Sequence, residues 1–98
     1  MQSREHLRLF VAGSTPQSLH AIENLLHICG ESLPGQCSLE VIDVYRDPDA
    51  AREANIVVAP TLISVGPRRL RRIVGDLSDT PVVLNFLRDR TGSQRTTG

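Results

Sequence analysis

Two cysteines and three histidines are the residues best suited to redox, nucleophilic or metal chemistry. Cys29 and Cys37 are the only thiols, and a zinc site needs more ligands than these plus scattered histidines supply. No metal is expected. Two reduced, partly buried thiols are the expectation, ahead of a disulfide. His20 has no nucleophile at a telling spacing, so it reads as a solvent-facing helix residue and not a general base. Ser14 and Ser18 lack the partners of a triad. Asp43, Asp47, Asp49 and Asp76 suit caps and turns better than a hard-metal site. The segment LRLFVAGSTPQSLHAIENLL (7–26) runs a strand through a tight turn into a helix, with Pro16 at the helix start. Such a turn can present reactive groups, yet Ser14, Thr15, Pro16 and Gln17 include no thiol. The segment points to binding and not to catalysis, and no cofactor is expected.

The 98 residues fit one domain, 1–98, with the polar tail TGSQRTTG (91–98) expected to be disordered. Eleven basic and eleven acidic residues give zero formal charge, and every basic residue is Arg. With aromatics limited to Phe10, Tyr45 and Phe86, the chain lacks the positive field and stacking surface of a nucleic-acid binder. The N-terminus has no long apolar run, so no membrane span is expected and a cytoplasmic location follows by default. Arg68, Arg69, Arg71 and Arg72 form the one local charge cluster. They would either guard a sheet edge or recognise acidic groups on a protein partner. The second reading is preferred.

Elements must position these groups. Leu7, Leu9 and Val11 alternate with Arg8, Phe10 and Ala12, the period of a strand over 6–12. Ser14 or Thr15 can cap a helix whose apolar positions are Leu19, Ile22, Leu25, Leu26 and Cys29, ended by Gly30. Ser38 to Tyr45 is rich in β-branched residues, as an inner parallel strand should be. Asp47 caps a short helix with Pro48 in its first turn. Thr61 to Val65 and Arg69 to Val74 form a hairpin around Gly66-Pro67-Arg68. Ser78 caps a last helix, with Leu77 stapled onto Val82 and Val83, Leu84 and Leu87 buried. The order βαβαββα is that of a thioredoxin-like α/β fold with a mixed central sheet. In such folds Ser14 to Gln17 occupy the place of a redox CxxC, and a proline placed like Pro60 is typically cis.

The blocks LFVAGSTPQS, VIDVYRDPDAA, APTLISV and RRIVGDLS, in this order, resemble the KaiB family of circadian clock proteins. They also resemble the related N-terminal sensor domain of the histidine kinase SasA. The resemblance implies a protein-binding module and not an enzyme. It implies binding to a KaiC-like ATPase, competition there with the kinase sensor domain, and capture of KaiA. It also implies two folds for one sequence: a thioredoxin-like monomer, and a tetramer whose C-terminal half is rearranged. Thr61, Arg71 and Arg72 match positions linked to partner contacts. His20 and Val41 stand where the family is often basic. Pro60, Phe86 and Arg88 bear on the choice of fold. Phe86 and Arg88 replace a Gly-x-Asp common in cyanobacterial KaiB. Gly in a helix interior costs about 1 kcal/mol relative to Ala. Arg near a helix C-terminus is favoured over Asp by up to about 1 kcal/mol. The expectation is therefore a thioredoxin-like ground state, with a monomer favoured.

Overall fold

Strict alternation from Leu7 to Val11 makes β1 (Glu5–Val11) a central strand with both faces covered. The computed structural model describes residues 5–32, 35, 37–65 and 70–88. The remaining elements are α1 (Pro16–Ser32), β2 (Cys37–Asp43), α2 (Pro48–Glu53), β3 (Thr61–Val65), β4 (Leu70–Val74) and α3 (Thr80–Arg88). The sheet order is β2-β1-β3-β4. β1 runs parallel to β2, with Leu9 opposite Val41, and antiparallel to β3, with Leu9 opposite Leu62. β3 and β4 form an antiparallel pair with Leu62 opposite Ile73. This is the expected thioredoxin-like βαβαββα arrangement.

The two faces of β1 belong to two cores. Leu7, Leu9 and Val11 pack with Ala21, Leu25 and Ile28 of α1, Leu62 of β3, and Val83 and Leu87 of α3. On the opposite face Phe10 packs with Ile42, Ile63 and Ala51 of α2. Burying each large side chain contributes about 2–3 kcal/mol, so the mixed alternation of β1 holds helices on both sides of the sheet.

Several boundaries differ from the sequence reading. Helix α1 passes through Gly30 to Ser32, because Gly30 keeps helical backbone while Gly35 takes the left-handed conformation (φ 74). Strand β2 starts at Cys37 and ends at Asp43, where Val44 to Arg46 turn, and it lies at the edge of the sheet and not inside it, because only β1 pairs with it among the described residues. Helix α3 is capped by Asp79 and not by Ser78. The Asp79 side chain accepts from Val82 N at 3.4 Å, and its carbonyl accepts from Val83 N at 3.0 Å. With the cap one residue later, Leu77 joins Val83 in the core and Val82 stays half-exposed. The expected turn at Gly66-Pro67-Arg68 and the tail 91–98 lie outside the described residues.

Candidate partner-binding surface

The turn after β1 is tied to the end of β2. Thr15 Oγ1 accepts from Ser18 N at 3.3 Å, which caps α1. Ser18 is fully buried, and its Oγ accepts from Ala12 N at 2.9 Å. Asp43 Oδ1 accepts from Gly13 N at 3.2 Å and from Tyr45 N at 2.9 Å. Gly13 has φ 59, and a Cβ there would meet the Tyr45 ring at 3.4 Å. These contacts explain Ser18, whose structural role no motif announced, and give Asp43 the turn role expected of it. Ser14, Pro16 and Gln17 face solvent at the start of α1.

Among the described residues β2 is an edge strand, so one row of its backbone groups has no neighbouring strand within the sheet. Val41 is 44% exposed on it. Arg8 Nε lies 3.2 Å from Glu40 Oε1 across β1 and β2. A shallow crevice of about 510 Å³ opens beside this edge, lined in part by Gly13, Ser14, Val41, Asp43 and Arg46. Tyr45, 73% exposed, follows the strand. The surface thus combines unpaired backbone with apolar side chains, a combination suited to a protein partner.

On the opposite side of the sheet order, the cis peptide Ala59–Pro60 precedes β3. Thr61 is buried, and its Oγ1 donates to Val58 O at 2.7 Å. Gly75 N donates to Pro60 O at 3.0 Å. Thr61 therefore holds this loop in shape. Val57 and Val58 beside it are exposed.

The arginines of β4 turn to opposite faces, as alternation requires. Arg71 donates to Phe86 O at 2.6 Å and lies 4.7 Å from the centre of the Phe86 ring. Arg72 donates to Asn55 O at 3.1 Å and to Ala54 O at 3.0 Å, the C-terminal carbonyls of α2. Both guanidinium groups expected to meet acidic partner groups thus also bind carbonyls of the chain itself. Phe86 is half-buried against the larger core. Arg88 lies in the last turn of α3. Arg68 and Arg69 lie outside the described residues. His20 is exposed on α1 and has only a small part in holding the Asp76 carboxyl below its ordinary range. The larger cause is hydrogen bonding from the Ser78 side chain and backbone. Asn24 Nδ2 donates to Asp76 O at 2.8 Å, which ties α1 to the segment before α3.

Each singled-out acidic residue has a local role. Asp43 binds the turn amides, Asp47 caps α2 through Ala50 N, Asp49 pairs with Arg52, and Asp76 accepts from Ser78 N. Cys29 and Cys37 are free thiols whose sulfurs lie 3.1 Å apart, away from the N-terminus of α1. Burial, with the hydrogen bond and charge of Cys37, pushes the Cys29 thiol up to about 12.

A KaiB domain model matches residues 8–89. The circadian clock protein KaiB3 of Synechocystis sp. is 46% identical over 78 residues, covering 80% of this chain and 76% of that protein. The chain belongs to the KaiB family. Its sequence blocks therefore carry the family signature that the resemblance suggested. The solution structure of the N-terminal domain of Synechococcus elongatus SasA superposes with a TM-score of 0.79 at 25% identity. It covers 100% of this chain and 92% of that domain. Mitochondrial thioredoxin 3 from Saccharomyces cerevisiae superposes with a TM-score of 0.74 at 18% identity, covering 90% and 80% of the two chains. This second likeness concerns the fold alone. This KaiB-family chain has the clock-protein sequence on a thioredoxin-like frame, with Ser14 to Gln17 at the turn. No helix among the described residues is long and apolar enough to cross a membrane.

Proposed function

We infer that this chain is a non-enzymatic, cytoplasmic protein-binding module that docks on a KaiC-like ATPase and modulates circadian or related signalling. The observation that carries the reading is the open edge of β2 in a KaiB-family chain, with Val41 exposed beside it. The partner lays backbone against that edge, while α1 with His20 supplies the flank. A parallel edge strand with free amides and carbonyls offers sequence-tolerant affinity, and Val41 adds an apolar anchor. On the far side, Arg72 has donors beyond the two it gives to Ala54 O and Asn55 O. These serve acidic groups of a partner while the clamps stay closed. The docked chain captures KaiA, and a kinase sensor domain competes with it for the same site on the ATPase.

Size-exclusion chromatography of the full chain with a KaiC-like ATPase, in ATP and in ADP, tests this. Co-elution in at least one nucleotide is expected, with Val41→Asp weakening it at least about tenfold, since a charge would enter a desolvated contact. Unchanged elution in both nucleotides after long incubation counts against the reading. A second reading, a sensor domain of the SasA type acting on a histidine kinase, is favoured by the superposition over 100% of the chain. Selective retention of a kinase by the immobilised chain, without the ATPase, would favour it.

A further inference from the structure

The Cys29–Cys37 pair takes no part in the docking surface and needs its own explanation. Cys29 lies in the last turns of α1, and Cys37 is the first residue of β2. Both side chains pack against the larger core, and both are half-buried. Their meeting is set by the framework on each side. Ile28 and Leu25 fix the end of α1 in the core. Pairing with β1, Glu5 opposite Cys37, fixes the start of β2. The sulfurs stand 3.1 Å apart, with Cys29 donating to Cys37. A disulfide bond of about 2.05 Å needs them to close by roughly 1 Å.

We propose that Cys29 and Cys37 form an oxidisable dithiol, a modification site at which small-molecule disulfides such as oxidised glutathione close an intramolecular staple between α1 and β2. Cys37 receives the hydrogen bond, so its sulfur attacks. The Cys37 thiolate attacks one sulfur of the small disulfide, breaking that S–S bond and releasing one small thiolate. A mixed disulfide remains on Cys37. The released thiolate takes the Cys29 proton. The Cys29 thiolate then attacks Cys37 Sγ, forming the internal bond and expelling the second small thiolate, which is protonated by solvent. Two protein thiols are oxidised and one small disulfide is reduced to two thiols. The raised Cys29 thiol makes it the slower, resolving member. The staple joins the end of α1 to the first residue of the edge strand, so the redox state would reach the docking edge. The chemistry itself does not depend on what docks there.

The test equilibrates the full chain in mixtures of oxidised and reduced glutathione, followed by acid quench, alkylation and intact-mass measurement. The oxidised chain is expected to be monomeric, two hydrogens lighter, and without alkylatable thiols. Cys29→Ser and Cys37→Ser should each stop with one bound glutathione. The native chain should reach half-oxidation at an oxidant ratio at least about tenfold lower than the same chain in urea, because the fold already holds the sulfurs together. Equal ratios in native and unfolded chain would overturn the proposal. So would a persistent glutathione adduct on the unsubstituted chain, a covalent dimer, or two thiols that stay alkylatable. The first comparison needs no substituted chain, so failure of a variant to fold leaves the result decisive.

Discussion

Asn55 adopts φ 56 at the end of α2, where Ile56 N donates to Ala51 O at 2.9 Å and Asn55 N to Arg52 O at 3.1 Å. This is a left-handed helix stop closed by two backbone bonds, and Asn tolerates it while β-branched residues do not. Asn55→Val is expected to lower stability by about 1–2 kcal/mol, whereas Asn55→Gly should stay within about 0.5 kcal/mol of the parent. Urea midpoints at unchanged m-value read both. The thiol pair gives a second expectation at this scale. The folded chain holds the Cys29 proton up to about 12, against an ordinary 9.0. Unfolded chain therefore loses that proton first, and stability falls as pH rises through this window. The melting temperature of the parent should drop more steeply than that of Cys29→Ser between about pH 8 and 11. Equal slopes would show that burial of the thiol has no such effect. The thiols were visible in the sequence, but their approach was not. Nothing local tells a helix residue which sulfur waits across the following connection.

Helix α3 illustrates what decides an element. Ser78 and Asp79 are both good caps, and a reading by residue type stops at the first. The backbone chooses Asp79, because Leu77 takes φ 62 and turns into the core while Ser78 N binds the Asp76 carboxylate. Asp79→Ala is expected to cost about 1 kcal/mol as the loss of an N-cap. Ser78→Ala should cost about half of that or less, since it caps nothing. Thermal or urea unfolding monitored by far-ultraviolet circular dichroism separates the two. The one-residue shift also explains why Val83 and not Val82 packs with Leu77. Helical period fixes which residues share a stripe, but the cap sets where the stripe begins. The β4 arginines show the same limit. Alternation told that Arg71 and Arg72 part to opposite faces. That one would meet Phe86 and the other the end of α2 depended on which helices lie there.

At the scale of the molecule, the C-terminal half takes the thioredoxin-like arrangement, with β4 at Leu70–Val74 and α3 at Thr80–Arg88. Phe86 supports it twice, through the core and through the Arg71 guanidinium. The double substitution Phe86→Gly and Arg88→Asp removes those contacts along with about 1 kcal/mol of helix propensity. Backbone chemical shifts should then show weakened helix over 80–88, and an alternative fold would gain population if it lies only a few kcal/mol away. A variant with unaltered shifts would mean that these two positions do not set the fold. Whereas the central place of β1 came from the sheet itself, the order βαβαββα and the signature blocks could be read from residues alone. They rest on periods of 2 and 3.6 and on caps that act within a few residues. Thr61 on Val58 O, the carbonyl partners of the arginines, the open edge of β2 and the meeting of Cys29 with Cys37 were settled only by the closed sheet. Such contacts join groups far apart in the chain or fix the shape of a loop. A donor faces many chemically equal carbonyls, and only packing brings one within reach.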